Sequence, residues 1–112
     1  MEFQGKGKVL RIYLNKYTHH EKELLYDVII KKAHAMGIAG AMVFQGTEGF
    51  GFCCLACRTL NLGVAASVCQ PLIAEFIDKE EKIDELLPVV KQLMKKGGIV
   101  VFDAYIDFDS FQ

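Results

Sequence analysis

Tryptophan is absent from this 112-residue chain, and only two prolines, Pro71 and Pro88, interrupt it. Charge of one sign is missing as well: 13 lysines and arginines face 14 aspartates and glutamates, a formal net charge of -1. With a pI near 6.3 there is no basic face or stripe of the kind that marks nucleic-acid binders, so no nucleic-acid partner is expected. No apolar run approaches the roughly 18 to 20 residues that span a bilayer, and Met1 to Lys8 lacks the apolar core of a signal peptide. We expect a cytoplasmic protein. Histidine is sparse, at His19, His20 and His34, and the helical His-x-x-x-His of a metal site does not occur. Neither a Ser-His-Asp arrangement nor paired carboxylates with a base can be argued from spacing, so no catalytic residue is assigned and an enzyme is not expected.

What is present is apolar and short-ranged in pattern. At 52% hydrophobic, the chain can build one domain around a core without metal or disulfide staples. Cys53, Cys54, Cys57 and Cys69 fall within one short stretch, where a secreted scaffold of this size would tie distant segments together; they read as reduced thiols. Cys54-Leu-Ala-Cys57, with Cys53 and Cys69, supplies enough thiols on paper for tetrahedral zinc. That sustains an alternative reading, a metal- or thiol-handling protein or small enzyme using the Cys53–Cys69 loop. Against it, adjacent cysteines rarely ligate one ion together, and no helix signal follows Cys57 to lower a thiol pKa.

Alternation of Leu10, Ile12 and Leu14 with Val9, Arg11 and Tyr13 predicts a first strand over Lys8 to Leu14. Thr18 with Glu21 reads as a capping box. A helix follows with Leu24, Leu25, Val28, Ile29, Ala33 and Met36 at 3.6 spacing and Gly37 as its αL stop. Ala39 opens a second strand, and Leu72 to Ile77 is a third. Asp78 with Glu81 repeats the capping logic before a second helix reaching about Lys96, in which Pro88 predicts a bend or a late start. Ile99 to Ile106 is the last strand. The order implies a ferredoxin-like α+β sandwich: βαββαβ, a four-stranded antiparallel sheet with both helices on one face. Val9, Tyr13, Val43, Ile73, Ile77 and Val101 then form an uncovered face too apolar for water, and oligomerisation is the expected cover.

Ala39 to Gly51 stands out, because an apolar strand runs into Gly46, Gly49 and Gly51, a backbone free to take positive φ or approach a ligand. Together with Leu10-Arg11-Ile12-Tyr13, Gly37-Ile38-Ala39-Gly40-Ala41, Gly46-Thr47-Glu48-Gly49-Phe50-Gly51 and the Phe76-Ile77-Asp78 to Pro88 stretch, it makes the chain resemble the DUF190 (UPF0166) family, grouped with the PII-like signalling proteins. The match covers about residues 8 to 51 and 72 to 106. The resemblance implies a single PII-like domain over 1–112, a homotrimer, and a site for an adenine nucleotide in the cleft between subunits. It also implies a mobile loop, here 52–70, that relays the ligand to a regulated protein, with a membrane transporter as a candidate partner.

Carried over by position, the resemblance places adenine against Ala41, Met42 and Val43, and the phosphates near Gly49, Phe50 and Gly51 and the turn of Lys96, Gly97, Gly98 and Ile99. Glycine turns of this kind form anion-binding nests of backbone amides. No cofactor is required and no metal ligand is assigned. Two departures matter. Ile99 stands where the PII pattern has a lysine, and Asp103, Asp107 and Asp109 follow where it has arginines, so AMP or ADP is favoured over ATP. Between Cys53 and Gln70 the family's polar, basic loop is missing, and the pattern resumes after Pro71. A genuine loop variant and a shifted reading frame both fit, and the intact mass of protein expressed from the native gene separates them.

Overall fold

The computed structural model describes residues 3–51, 70–95 and 97–108. β1 (Phe3–Asn15) passes through a small hairpin, β2 (His19–His20) and β3 (Glu23–Leu24), into α1 (Leu25–Ala35). β4 (Gly40–Gln45), β5 (Pro71–Lys79), α2 (Glu80–Leu93) and β6 (Gly98–Phe108) follow. The four long strands form one antiparallel sheet in the order β4-β5-β1-β6. Each helix links two strands that run parallel with a third between them, β1 to β4 across β5 and β5 to β6 across β1, which is the ferredoxin-like topology.

Register explains the core. Leu10 faces Phe76, Ile12 faces Ala74 and Leu14 faces Leu72 across the β1–β5 ladder, so one parity of each strand makes a continuous apolar layer. Leu25, Ile29 and Ala33 of α1 and Ile83, Leu86 and Val90 of α2 close over it, all of them buried. Both helices therefore lie on one face of the sheet. Each such side chain contributes about 1.5–3 kcal/mol by leaving water.

The helix ends differ from the sequence reading in instructive ways. Gly37, at φ +80°, ends α1 as expected, with the Ile38 amide donating to the Ala33 carbonyl and the Gly37 amide to the His34 carbonyl, a Schellman motif. Neither expected capping box forms, since no side chain caps either helix start. Residues 19–24 fold into the hairpin instead, and the Thr18 backbone carbonyl, not its hydroxyl, accepts the Leu25 amide at 2.8 Å. Asp78 is buried and spends its carboxylate elsewhere, accepting the Lys79 amide at 2.6 Å and the Ala39 amide at 2.9 Å. It thereby stitches the entry of β4 to the end of β5. α2 runs unbroken through Pro88 and stops at Leu93, short of Lys96.

The opposite sheet face carries no helix among the described residues. Its members are also corrected by the register: Val43 pairs with Ala74 and Val101 with Leu10, which places both on the helix side. Met42, Phe44, Val100 and Phe102 take their places on the open face and are exposed, beside the half-buried Tyr13, Ile73 and Ile77; Val9 shares that face but, against expectation, is buried. In the middle of this apolar field Arg11 Nε donates to Glu75 Oε2 at 2.6 Å, and its guanidinium lies 5.3 Å from the centre of the Phe102 ring. No helix among the described residues is long and apolar enough to cross a membrane.

Candidate functional site

Where β4 ends, β5 begins, β1 ends and β6 begins, the four strands meet at one end of the sheet. The chain leaves the sheet there at Gly46 and returns at Pro71, and the two points are joined by the Gly46 amide donating to the Pro71 carbonyl at 2.8 Å. Asn15, largely buried, fastens this root to β1: its side-chain oxygen accepts the Tyr17 amide at 3.0 Å and the Gln70 amide at 3.3 Å. The Lys16 amide adds a bond to the Gln70 carbonyl at 2.8 Å. A buried amide side chain that satisfies two backbone donors makes the root rigid, because losing it strands both.

Over this root lies a cleft of about 190 Å³ walled by Tyr13, Leu14, Phe50, Leu72 and Ile73. Gly46 and Gly49 line it too, and Glu48 is the only charged lining residue among the described ones. Gly51 follows at φ +108° with open space where a Cβ would be, so conformation alone requires glycine there. From the other side Gly97, at φ +110°, packs so closely that a Cβ would sit 2.5 Å from the Tyr13 carbonyl oxygen. Gly98 pairs with Tyr13 in the sheet. The structure thus brings Gly49 and Phe50, and from the other side Gly97 and Gly98, to the same Tyr13–Leu14 segment, with Ile99 one pair further on beside Ile12; Gly51 does not line the cleft.

Ala41, Met42 and Val43 are not part of that cleft. They alternate along β4, with Met42 exposed on the open face and Val43 packed against the core. Their backbone is better placed than their side chains. With Gly46 bonded to β5, the alternation of an antiparallel ladder turns Met42 and Phe44 toward β5 and points the amides and carbonyls of Ala41, Val43 and Gln45 away from it. No described strand lies beyond β4. Lys96, the 52–70 loop up to residue 69 and the four cysteines lie outside the described residues; among the described ones no group of three or more His, Cys, Asp or Glu could hold a metal ion.

Asn15, Tyr13 and Glu48 escaped the sequence reading. Tyr13 was detectable in principle, since the last outward residue of a central strand must border whatever sits at that sheet end. Asn15 carried no signal beyond its turn.

A family model, DUF190, described as "Uncharacterized ACR", matches residues 7–106. A UPF0166 protein of Methanocaldococcus jannaschii is 35% identical over 102 residues, covering 86% of each chain. Among solved structures, CPII of Thiomonas intermedia bound to ADP, AMP and acetate superposes with a TM-score of 0.64 at 15% identity, covering 93% of this chain and 91% of that one. The apo form of CPII, a nitrogen regulatory PII-like protein, gives 0.62 at 14% identity, with 97% and 100% covered. At such identities the structural likeness speaks for the fold.

Proposed function

The chain belongs to the DUF190 (UPF0166) family, and from that premise we propose that it is a PII-like regulatory protein that binds an adenine nucleotide between subunits of a homotrimer. The observation that carries the reading is the apolar cleft that Gly46 and Gly49 share with Tyr13 and Leu14, the same two residues against which the Gly97 turn packs. Its 190 Å³ falls short of the ~300–1,000 Å³ usual for small-molecule sites, as half of a shared site does. The outward edge of β4 supplies the missing half from a neighbouring copy. An amide and a carbonyl from Ala41 or Val43 match the acceptor and donor on the edge of adenine, and no particular side chain is needed, which suits a stretch whose side chains point to both faces.

A CPII structure bound to ADP and AMP supports the ligand class. Within it, Glu48 in the cleft disfavours a third phosphate, so AMP or ADP binds more tightly than ATP; Asp103 and Asp107 pair with Lys8 and Gln4 further along β6, away from the Gly97 turn, and add nothing to that preference. The open sheet face supplies the subunit contact, and the segment between Gly51 and Gln70 is the part that a bound ligand reorders for a regulated partner. The protein acts in the cytoplasm and catalyses no reaction of its own. Calorimetric titration with AMP, ADP, ATP and cyclic AMP, alongside light scattering, tests this. A trimer with micromolar or tighter binding of a mono- or diphosphate is expected; a monomer giving no heat with any nucleotide overturns it.

A further inference from the structure

We propose that the cleft between the β2–β3 hairpin and the C-terminal end of α2 is a second ligand site, independent of the glycine cleft, for a small phosphate-bearing molecule. At about 460 Å³ it is the larger of the two and falls within the range of small-molecule sites. Leu25 and Leu93 form an apolar wall, and His19, His20, Gln92 and Lys95 line the rest. His19, Gln92 and Lys95 each carry an N–H donor, whichever imidazole tautomer is present.

The electrostatics favour an anion. Lys95 forms no ion pair among the described residues. Glu21, the one carboxylate among the described lining residues, lies 3.3 Å from His20 Nε2 and is engaged by it. α1 begins at Leu25 in the wall, directing its positive end inward, while α2 ends there and opposes it; the two helix ends offset, and the side chains decide the sign. Donors reach the cleft from two sides, the hairpin and the end of α2, and the tetrahedral oxygens of a phosphate, with its higher charge, span them better than a planar carboxylate does. The hairpin is held in this shape at a cost, because Glu21 turns it with φ 57°, where glycine is the usual residue.

Inorganic phosphate, titrated at constant pH while the imidazole resonances are followed by NMR, tests the site directly. His19 and His20 are expected to shift together and saturate, and His34, in the last turn of α1 at the helix's other end, is expected to stay still. Lys95→Gln weakens the binding about tenfold or more, since a charge-assisted hydrogen bond is lost, and His19→Gln weakens it less; circular dichroism confirms that both variants fold. Equal movement of all three histidines, unchanged affinity in both variants, or acetate binding more tightly than phosphate overturns the proposal. None of these readings depends on whether a nucleotide binds at the glycine cleft.

Discussion

Two phenylalanines on strands that flank β1 in the same sheet occupy opposite worlds. Phe76 on β5 is 0% exposed beneath both helices, and Phe102 on β6 is 40% exposed on the face without them. The two faces scarcely differ in hydrophobicity: Leu10, Ile12, Ala74 and Phe76 line one, Met42, Phe44, Ile73, Ile77 and Phe102 the other. An antiparallel sheet with one wet face ordinarily alternates apolar and polar residues. Here the alternation is between apolar residues covered within the chain and apolar residues left uncovered, which is how an exposed patch marks a contact surface. Arg11 and Glu75 set one paired charge, 2.6 Å apart, amid that field.

Phe76→Ala should give the largest effect, about 3–5 kcal/mol by cavity formation, read as a lower midpoint in urea at any protein concentration. Asp78→Ala strands the Ala39 and Lys79 amides and should cost roughly 1–3 kcal/mol, again independent of concentration. Phe102→Asp should alter the stability of an isolated subunit by only about 0.5 kcal/mol, yet shift light scattering from the assembled mass to the monomer. Should Phe102→Asp unfold the chain as Phe76→Ala does, the contrast between the faces collapses. The smallest effect belongs to Lys8 on the helix side, whose pKa is raised above its ordinary 10.5 by hydrogen bonding to Asp84 and then Glu80. Its contribution is complete below the ordinary value and fades as pH rises through the raised one, so Lys8→Met should narrow its gap from wild type in thermal melts only in strongly alkaline buffer.

Strand and helix order was legible because each element carries a clean period: two for β1 and β5, 3.6 for α1 and α2. The Gly37 stop was legible for the same local reason. The capping boxes were not, because Thr18 and Asp78 met stronger tertiary demands, a hairpin in one case and two orphan amides in the other. Parity of the outer strands also misled, since a one-residue choice of register exchanges Val43 for Met42 and Val101 for Val100 and Phe102. Of the candidate site, the glycine turns could be named from the chain, but their meeting at Tyr13 and Leu14 depends on a strand order that no local pattern records.

That strand order has a further consequence. β4 and β6 are the two edges of the sheet, three strand spacings or about 14 Å apart, so the outward amides of Ala41 and Val43 cannot reach the Gly97 turn of their own subunit. A ligand that needs both must be held by two molecules at once. Nucleotide affinity on the proposed reading therefore becomes a function of protein concentration, and by reciprocity the nucleotide strengthens the assembly by the same factor that assembly strengthens its binding. Dilution alone would then empty the site.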